Sequence, residues 1–278
     1  MSSYPGAPDP LPRPVADSHC HLDIGYDHDP LPVDQALAMA AGVGVTHVIQ
    51  VGCDVAGSRW AAEVATDHPN VWASVALHPN EAPKMQQAGG LTALSAALRE
   101  ITEMARLPQV RAVGETGMDF YRTEPAGRAA QEESFRAHIA IAKAEGKALV
   151  VHDREAHADV LRILDDEGAP DRVVMHCFSG DEDFAREVTE RGFYCSFAGV
   201  ITFKNADDLR AALAVVPPER VLVETDAPFL TPVPYRGKPN ASYLVPLTMR
   251  AVAELRGWDL ADACDLVMAN TADAFGGL

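Results

Sequence analysis

Two histidines separated by one residue lie near the start of the chain, in the stretch DSHCHLD at residues 17–23. In an extended segment, residues i and i+2 point to the same side, roughly 6–7 Å apart. His19 and His21 can therefore bind one metal ion together, while Cys20 between them faces the other way. The spacing predicts part of a metal site, and the rest of the chain must supply the remaining ligands.

Four more residues that can bind metals each follow a short apolar run rich in β-branched residues. Glu115 ends VRAVGE, His152 ends ALVVH, His176 ends RVVMH, and Asp226 follows VLVET. A single histidine in such a place is more often a hydrogen-bonded structural residue. Several candidate ligands at the same end of predicted strands favour a shared metal site instead.

The combined set predicts two divalent ions. The expected ligands are His19, His21 and Asp226 for one ion, His152 and His176 for the other, and Glu115 as the bridge between them. Sites of imidazole and carboxylate accept Zn, Mn, Ni or Fe, whereas Mg prefers oxygen. Paired ions about 3.5–4 Å apart suit in-line displacement at phosphorus by an activated water. Glu115 and Asp226 are the expected catalytic residues, and Asp226 can also act as the base that positions the water.

The elements that must position these residues alternate along the chain. Strands are predicted near 14–19, 46–51, 71–76, 110–115, 148–152, 172–176, 193–197 and 221–225. Helical patterns lie between them, near 34–41, 57–67, 91–105, 128–145, 155–167, 181–191 and 205–215, with a helical tail over 243–256 and 260–275. Eight such strand–helix units predict an α/β fold, a single (β/α)8 TIM barrel, whose active-site mouth gathers the carboxyl ends of the strands. The alternative, a doubly wound open sheet, would normally carry a Gly-rich phosphate loop where DSHCHLD stands.

Composition narrows the classes of protein that the chain can represent. Its 278 residues are 47% hydrophobic, which suits a large core, and its formal net charge is −17. A charge of this size repels phosphates at long range and excludes nonspecific coating of nucleic acid. If the substrate is a phosphate polymer, the attraction must be local, and metal ions are the obvious source.

The first residues of the chain and its cysteines indicate its domain organisation and its cellular location. Residues 1–13 are rich in proline and lack the apolar core of a signal peptide, so we expect a flexible leader before a hydrolase barrel over 14–278. The chain has five cysteines and no C-x-x-C pair, which favours free thiols in a reducing cytoplasm. No apolar run reaches the ~20 residues that a membrane helix needs, and no obligate protein partner is evident.

Residues for binding a phosphate-containing substrate are also expected near the strand ends. The candidates are His78, Arg154, Lys204 and Arg236. Arginine is the better phosphate partner because its guanidinium can donate two parallel hydrogen bonds. For Arg154 the alternative is an ion pair with Glu155 or Asp159 on the same helix.

Further residues are candidates for supporting roles. Ligating histidines usually donate their second N–H to a carboxylate or carbonyl, and Asp17 and Glu224 are candidates for this role, although each could be an ordinary strand residue. One or two aromatic residues could stack bases of a single strand, among Phe120, Tyr121, Phe178, Phe203, Phe229 and Tyr235. Ordinary surface or packing roles, without a part in the site, are expected for His28, His47, His68 and His138.

From about Val15 to Phe275 the motifs resemble those of the TatD family of metal-dependent nucleases, within the amidohydrolase-like barrel superfamily. The matching pieces are DSHCHLD, ALHPNEA, VGETGMDFYR, VHDREAHADVL, HCFSG, GVITFKNA, ETDAPFLTPVPYRGKPN and ANTADAF. The resemblance implies a TIM barrel, the same six metal ligands, and a substrate-side role for His78. It also implies phosphodiester hydrolysis, typically 3′→5′ exonuclease action on DNA and sometimes on RNA. One departure is that Ala241 and Ser242 follow Asn240, where the family usually has Glu-Pro.

Two other classes of function stay open at this point. One is a barrel metallohydrolase that acts on another bond: an organophosphate or small phosphoester, a cyclic amide, or an aminoacyl-tRNA ester. Related barrels often bridge their metals with a modified lysine. Here the fourth strand supplies Glu115 with no lysine beside it, which favours the nuclease and hence a single-stranded DNA or other nucleic-acid substrate. The other class is a metal-binding protein without catalytic activity.

Overall fold

The computed structural model describes residues 4–25 and 30–277. The first three residues of the predicted leader and His28 lie outside the described residues. None of the helices in the described part of the chain is long and apolar enough to cross a membrane.

Eight strands form one sheet whose spatial order follows the chain, β1 to β8. Their bounds are β1 Val15–Cys20, β2 Val45–Gly52, β3 Val71–Val75, β4 Val110–Asp119, β5 Ala148–Arg154, β6 Val173–Met175, β7 Tyr194–Phe197 and β8 Val221–Val223. The strands are parallel, and a further parallel bridge joins Cys20 at the end of β1 to Ala227 after β8. The predicted (β/α)8 barrel fold is confirmed.

Helices separate the strands as the sequence predicts. Within the described residues they are α1 Val33–Gly42, α2 Val55–Asp67, α3 Glu81–Ala105, α4 Arg128–Glu145, α5 His157–Glu167, α6 Glu182–Glu190, α7 Asp207–Val215, α8 Val245–Arg256 and α9 Leu260–Phe275. The strands are buried on both faces, which is why they read as nearly continuous apolar runs rather than as alternating patterns.

Two compact units make up the chain. Of the described residues, one unit contains 4–25, 30–50 and 180–273, and the other contains 51–179 and 274–277. The first unit holds β1, β7, β8 and nearly all of β2, and a buried hydrogen bond joins the hydroxyls of Ser18 and Ser196 at 2.8 Å. The second unit holds β3 to β6, and its longest strand pairing is between β4 and β5.

Two glycines allow β4 to lie close to β5 around the motif VGETG. A Cβ atom on Gly114 would come within 2.5 Å of Val150, and one on Gly117 within 2.2 Å of the carbonyl oxygen of His152. Gly117 also has a φ of +131°, which side chains disfavour. Glu115 therefore lies on a strand segment that only glycine at both flanking positions permits.

Some element boundaries differ from the predicted ones. β4 continues to Asp119 and β5 to Arg154, beyond the apolar runs that identify them in the sequence. Helix α3 begins at Glu81 instead of near residue 91, with a break in helical geometry at Gly89 and Gly90. The two glycines interrupt the helical pattern, so the sequence alone indicates only the part after them.

The segment predicted to be a leader contacts the rest of the first unit. The Tyr243 hydroxyl donates to the carbonyl of Pro5 at 2.6 Å, and the N–H of Leu11 donates to the carbonyl of Val43 at 3.0 Å. The flexibility of residues 1–13 remains a prediction.

Candidate metal centre

In the first unit, the end of β1 and the segment after β8 bring together His19, His21 and Asp226. The Nε2 atoms of His19 and His21 lie 3.9 and 3.5 Å from Oδ1 of Asp226, and the two rings are 5.1 Å apart. One donor atom from each of the three residues lies within 4.8 Å of the others. Two nitrogens and a carboxylate oxygen at this spacing are a donor set for one divalent ion.

Backbone hydrogen bonds hold the carboxylate of this group in place. The N–H of Asp226 donates to the carbonyl of His19 at 2.9 Å, and the N–H of His21 donates to the carbonyl of Ala227 at 2.8 Å. Asp226 itself has a φ of +53°, a left-handed conformation uncommon outside glycine. The strand pairing thus fixes Asp226 in a sharp turn that directs its side chain toward both imidazoles.

The carboxylate of Asp17 also stabilises the turn that contains Asp226. Its carboxylate accepts hydrogen bonds from the N–H and hydroxyl of Thr225 at 2.9 and 2.6 Å, and from the N–H of His19 at 3.3 Å. Burial raises the pKa of Asp17 to about 7, although the bonds from Thr225 oppose that rise. Asp17 therefore links β1 to the residue that precedes Asp226. Glu224, the other predicted supporting carboxylate, is fully buried.

In the second unit, the middle of β4 and the ends of β5 and β6 place Glu115 between imidazoles. Its Oε2 atom lies 3.2 Å from Nδ1 of His152 and 3.0 Å from Nε2 of His176. His78, which follows β3, points Nε2 at the same oxygen from 3.8 Å. This group is a second donor set for a divalent ion, with the carboxylate at its centre.

Asp119 lies on the far side of His152. Its Oδ2 atom is 3.4 Å from Nε2 of His152, so Nδ1 of this histidine is the nitrogen directed to Glu115. A carboxylate in this place fixes the ring orientation and the tautomer of a ligating histidine. Asp119 is nearly fully buried, and the nearby imidazole of His152 together with a hydrogen bond from the N–H of Arg122 holds the pKa of its carboxyl below the usual range against the effect of burial.

A side-chain network fixes Asp119 in turn. Asn80 donates to its carboxylate at 3.1 Å, and Gln131 accepts the N–H of Asp119 at 3.1 Å. Thr123 joins these residues by donating to Asn80 at 2.9 Å and accepting from Gln131 at 2.7 Å. The orientation of His152 therefore depends on residues from the loop after β3, from the end of β4 and from α4.

The charges of the second group shift the pKa values of its members. Burial lowers the pKa of His78 to about 4, against the attraction of Glu115. Burial also opposes charge on His152, but its bonds to Asp119 and Glu115 raise its pKa. The pKa of Glu115 lies well below its usual value because His78 and His176 outweigh the effect of burial. At neutral pH the group thus contains an ionised carboxylate beside a neutral His78.

The predicted substrate-binding arginines are held by aromatic rings. The guanidinium of Arg154 lies 3.9 Å from the ring centre of Tyr121, and that of Arg236 lies 4.0 Å from the ring centre of Phe203. The alternative ion pair of Arg154 with Asp159 is replaced by one between Asp159 and Arg162 at 2.9 Å. The fourth candidate, Lys204, is exposed.

Three residues beside the second group were not among the predicted site residues. Asp119 and Asn80 form the network described above, and the thiol of Cys53 lies 3.5 Å from Oε1 of Glu115. The signal for Asp119 is its place in VGETGMDF, because a strand that carries Glu115 inward also carries Asp119, four residues later, on the same side. Asp119 is indicated in this way only if β4 extends beyond the apolar run that identifies it in the sequence.

The departure at Ala241 and Ser242 lies in a buried turn. Both residues are nearly inaccessible to solvent, and Asn240 before them donates to the carbonyls of Thr225 and Phe229 at 2.9 and 2.6 Å. The amide of Asn240 therefore holds the turn that contains Asp226. The small side chains at 241 and 242 are packed inside the first unit.

Comparison with known proteins identifies the family of this chain. A family model described as TatD related DNase matches residues 16–276. The chain belongs to the TatD related DNase family. It is similar to the uncharacterized metal-dependent hydrolase TatD of Mycobacterium tuberculosis, with 40% identity over 266 residues, 94% of this chain and 98% of that protein.

Two further proteins are also similar to this chain over nearly its whole length. The uncharacterized metal-dependent hydrolase YcfH of Escherichia coli K12 is 38% identical over 264 residues, 94% of this chain and 95% of that protein. The crystal structure of YjjV, a TatD homolog from Escherichia coli K12, superposes with a TM-score of 0.85 at 25% identity, covering 95% of this chain and 98% of that one.

Proposed function

We propose that the chain is a metal-dependent phosphodiester hydrolase that shortens single-stranded DNA from its 3′ end. The observation that carries the proposal is the pair of histidine–carboxylate groups at the carboxyl ends of the barrel strands, in a chain of the TatD related DNase family. Ends of parallel strands in this fold are where catalytic residues lie.

The donor sets fit two divalent ions, with Mg, Mn and Zn as candidates. His19, His21 and Asp226 would hold one ion, and His152 and His176 the other, with Glu115 contributing to both. Such ions, when bound, neutralise charge on a phosphoryl group and lower the pKa of water. The ionised state of Glu115 suits this role, because a ligating carboxylate must be deprotonated.

His78 has the properties of a hydrogen-bond donor to the phosphate. Its Nδ1 atom accepts the backbone N–H of Asn80 at 3.1 Å, so the neutral ring carries its proton on Nε2. With a pKa of about 4, this ring is uncharged at neutral pH. We assign His78 to orient a non-bridging phosphate oxygen through Nε2–H, and Asp226 to accept a proton from the attacking water.

The test uses metal-stripped protein and single-stranded oligonucleotides labelled at the 3′ or the 5′ end, with Mg, Mn or Zn added back. The expected result is stepwise shortening from the 3′ end that is lost in Asp226→Ala. Asp265→Ala, which changes an exposed aspartate, is the matched control and should retain activity. Cleavage that persists in Asp226→Ala would contradict the assignment.

A second outcome would redirect the proposal. If elemental analysis shows bound metal but no oligonucleotide is cut with any added ion, the chain hydrolyses another bond. Small phosphoesters, cyclic amides and aminoacyl-tRNA esters would then be screened with the same variants.

We also propose a cytoplasmic location, since none of the five cysteines forms a disulfide. Cell fractionation with an antibody against the chain tests this directly.

A further inference from the structure

Tyr121 is the feature from which this inference starts. Its side chain is 61% exposed. The guanidinium of Arg154 covers one face of the ring at 3.9 Å from its centre. Arg154 forms no salt bridge with the described residues, so the stack with Tyr121 is what holds its side chain.

This stack adjoins the second ligand group. Arg154 lies two residues after His152 in the extended strand β5, so the two side chains project to the same side. The N–H of Phe120 donates to the carbonyl of Arg154 at 2.9 Å, which fixes the backbone before Tyr121 to the end of β5. The ring and the guanidinium are thus rigidly placed next to a candidate catalytic group.

A groove of about 940 Å³ lies in the second unit, and Arg122 forms part of its wall. Among its lining residues are Asn80, Arg122, Lys84 and Gln87. Asn80 connects the groove to the second group through its bond to Asp119. Arg122 follows Tyr121 directly, and it forms no salt bridge within the described residues. In a chain of net charge −17, an arginine that lies in the wall of a groove and has no ion-pair partner among the described residues favours an anionic ligand.

We propose that Tyr121, Arg154 and Arg122 form a nucleotide-binding subsite for a single strand. A nucleobase stacks on the open face of Tyr121, and the two arginines contact flanking phosphates while the groove takes the sugar–phosphate backbone. Base stacking on an aromatic ring tolerates any sequence, which suits stepwise removal of nucleotides. The subsite names the substrate contact of the proposed nuclease, and in that respect rests on the proposed function.

Binding to metal-free protein tests the subsite apart from cleavage. Fluorescence anisotropy would measure the affinity for a fluorescein-labelled ten-nucleotide single strand of thymidines. Tyr121→Ala should weaken binding roughly tenfold through the lost stacking, whereas Tyr121→Phe, which keeps the ring, should bind within about twofold of wild type. Because Tyr121 is exposed, both variants should fold, and circular dichroism verifies this.

Salt dependence separates the arginines from the ring. Arg154→Gln should reduce the slope of log affinity against log salt by about 0.7, the value for one phosphate contact on a single strand, while Tyr121→Ala should leave the slope unchanged. Trp258→Ala is the matched control, because Trp258 also stacks on an arginine, Arg256, but at the end of α8. It should bind like wild type.

The outcomes distinguish the subsite from the nuclease itself. If wild type cleaves the oligonucleotide but Tyr121→Ala binds and cleaves it with unchanged affinity and KM, the subsite is wrong and the nuclease stands. If Tyr121→Ala weakens binding but neither wild type nor any variant cleaves the oligonucleotide, the subsite stands and the proposed function fails. An absence of any binding by wild type overturns the subsite.

Discussion

The two ligand groups position their carboxylates in different ways. Asp226 is set by backbone pairing between β1 and the turn after β8, and its side chain stays 15% exposed. Glu115 is 6% exposed and is surrounded by the imidazoles of His78, His152 and His176. One carboxylate is thus held by main-chain geometry, the other by the charges around it.

Asp17 and Asp119, the carboxylates that support the two groups, differ in the same way. Asp17 contacts the backbone next to the ligands, through Thr225 and His19, whereas Asp119 contacts the ring of His152 directly. The geometry of the first group therefore depends on backbone pairing, whereas that of the second depends on a network of polar side chains. Substitution of the supporting carboxylate should therefore act mainly on stability in the first group and on metal affinity in the second.

The largest effect should come from Glu115→Gln. Removing the negative charge leaves three imidazoles without their common partner, and we expect activity to fall on the order of 10³-fold, beyond the 10–100-fold that outer partners contribute. Single-turnover cleavage of a labelled oligonucleotide measures it. Glu100→Gln, at an exposed ion pair with Arg59, is the control. Activity within tenfold of wild type would mean that Glu115 is not a ligand.

Metal stoichiometry should separate the two groups. Under the proposed assignment, Asp226→Ala should reduce the bound ions from two toward one. Glu115→Ala should reduce the metal content further, because Glu115 would contribute to both ions. Elemental analysis after dialysis gives the number for each. Equal losses in the two variants would show that the groups act as a single cooperative site.

Asp119→Asn and Asp17→Asn make the difference in support measurable. Asp119→Asn should lower metal affinity roughly 10–100-fold with little loss of stability, because it disturbs the orientation of His152. Asp17→Asn places an amide against buried donors and should lower the free energy of unfolding by about 1–3 kcal/mol. Metal titration and urea denaturation of both variants test the contrast, and a reversed pattern would break it.

A pH-dependent effect on stability is expected from His138, whose ring contacts the backbone just before His78. This buried residue accepts the N–H of Leu77 at 3.0 Å through Nε2 and donates through Nδ1 to the carbonyl of Ser134 at 2.7 Å, and burial lowers its pKa to about 4. The unfolded chain binds a proton near pH 6.5, whereas the folded one does so only near pH 4. This residue's contribution to stability is therefore present above pH 6.5 and is lost as the pH falls toward 4, by about 3 kcal/mol.

The variant His138→Gln isolates this contribution. The gap between wild-type and variant free energies of unfolding should narrow between pH 6.5 and 4, since glutamine does not titrate. His68→Gln, at a partly exposed position after α2, supplies the control. A gap that stays constant over this range would show that His138 keeps an ordinary pKa in the fold.

The fold was predictable because its signals are local. Eight apolar runs identify the strands, and boundaries differ where polar residues such as Asp119 and Arg154 continue a strand beyond its apolar run. The six expected ligands were found by their place after these runs. Their assignment to metal ions remains a prediction, supported by the closeness of His19, His21 and Asp226 in the first unit and of Glu115, His152 and His176 in the second.

The sequence by itself determined the order of strands and helices and the residue types at the strand ends, because apolar periodicity and backbone propensity act between near neighbours. Only the tertiary structure decided that Asp119 contacts His152, that Asp17 contacts Thr225, and that Arg154 lies on Tyr121. Each of these contacts joins residues that are 33 to 208 positions apart in the sequence, so no local sequence pattern indicates them. They form because the barrel brings polar strand ends into a buried space, where each must find a partner.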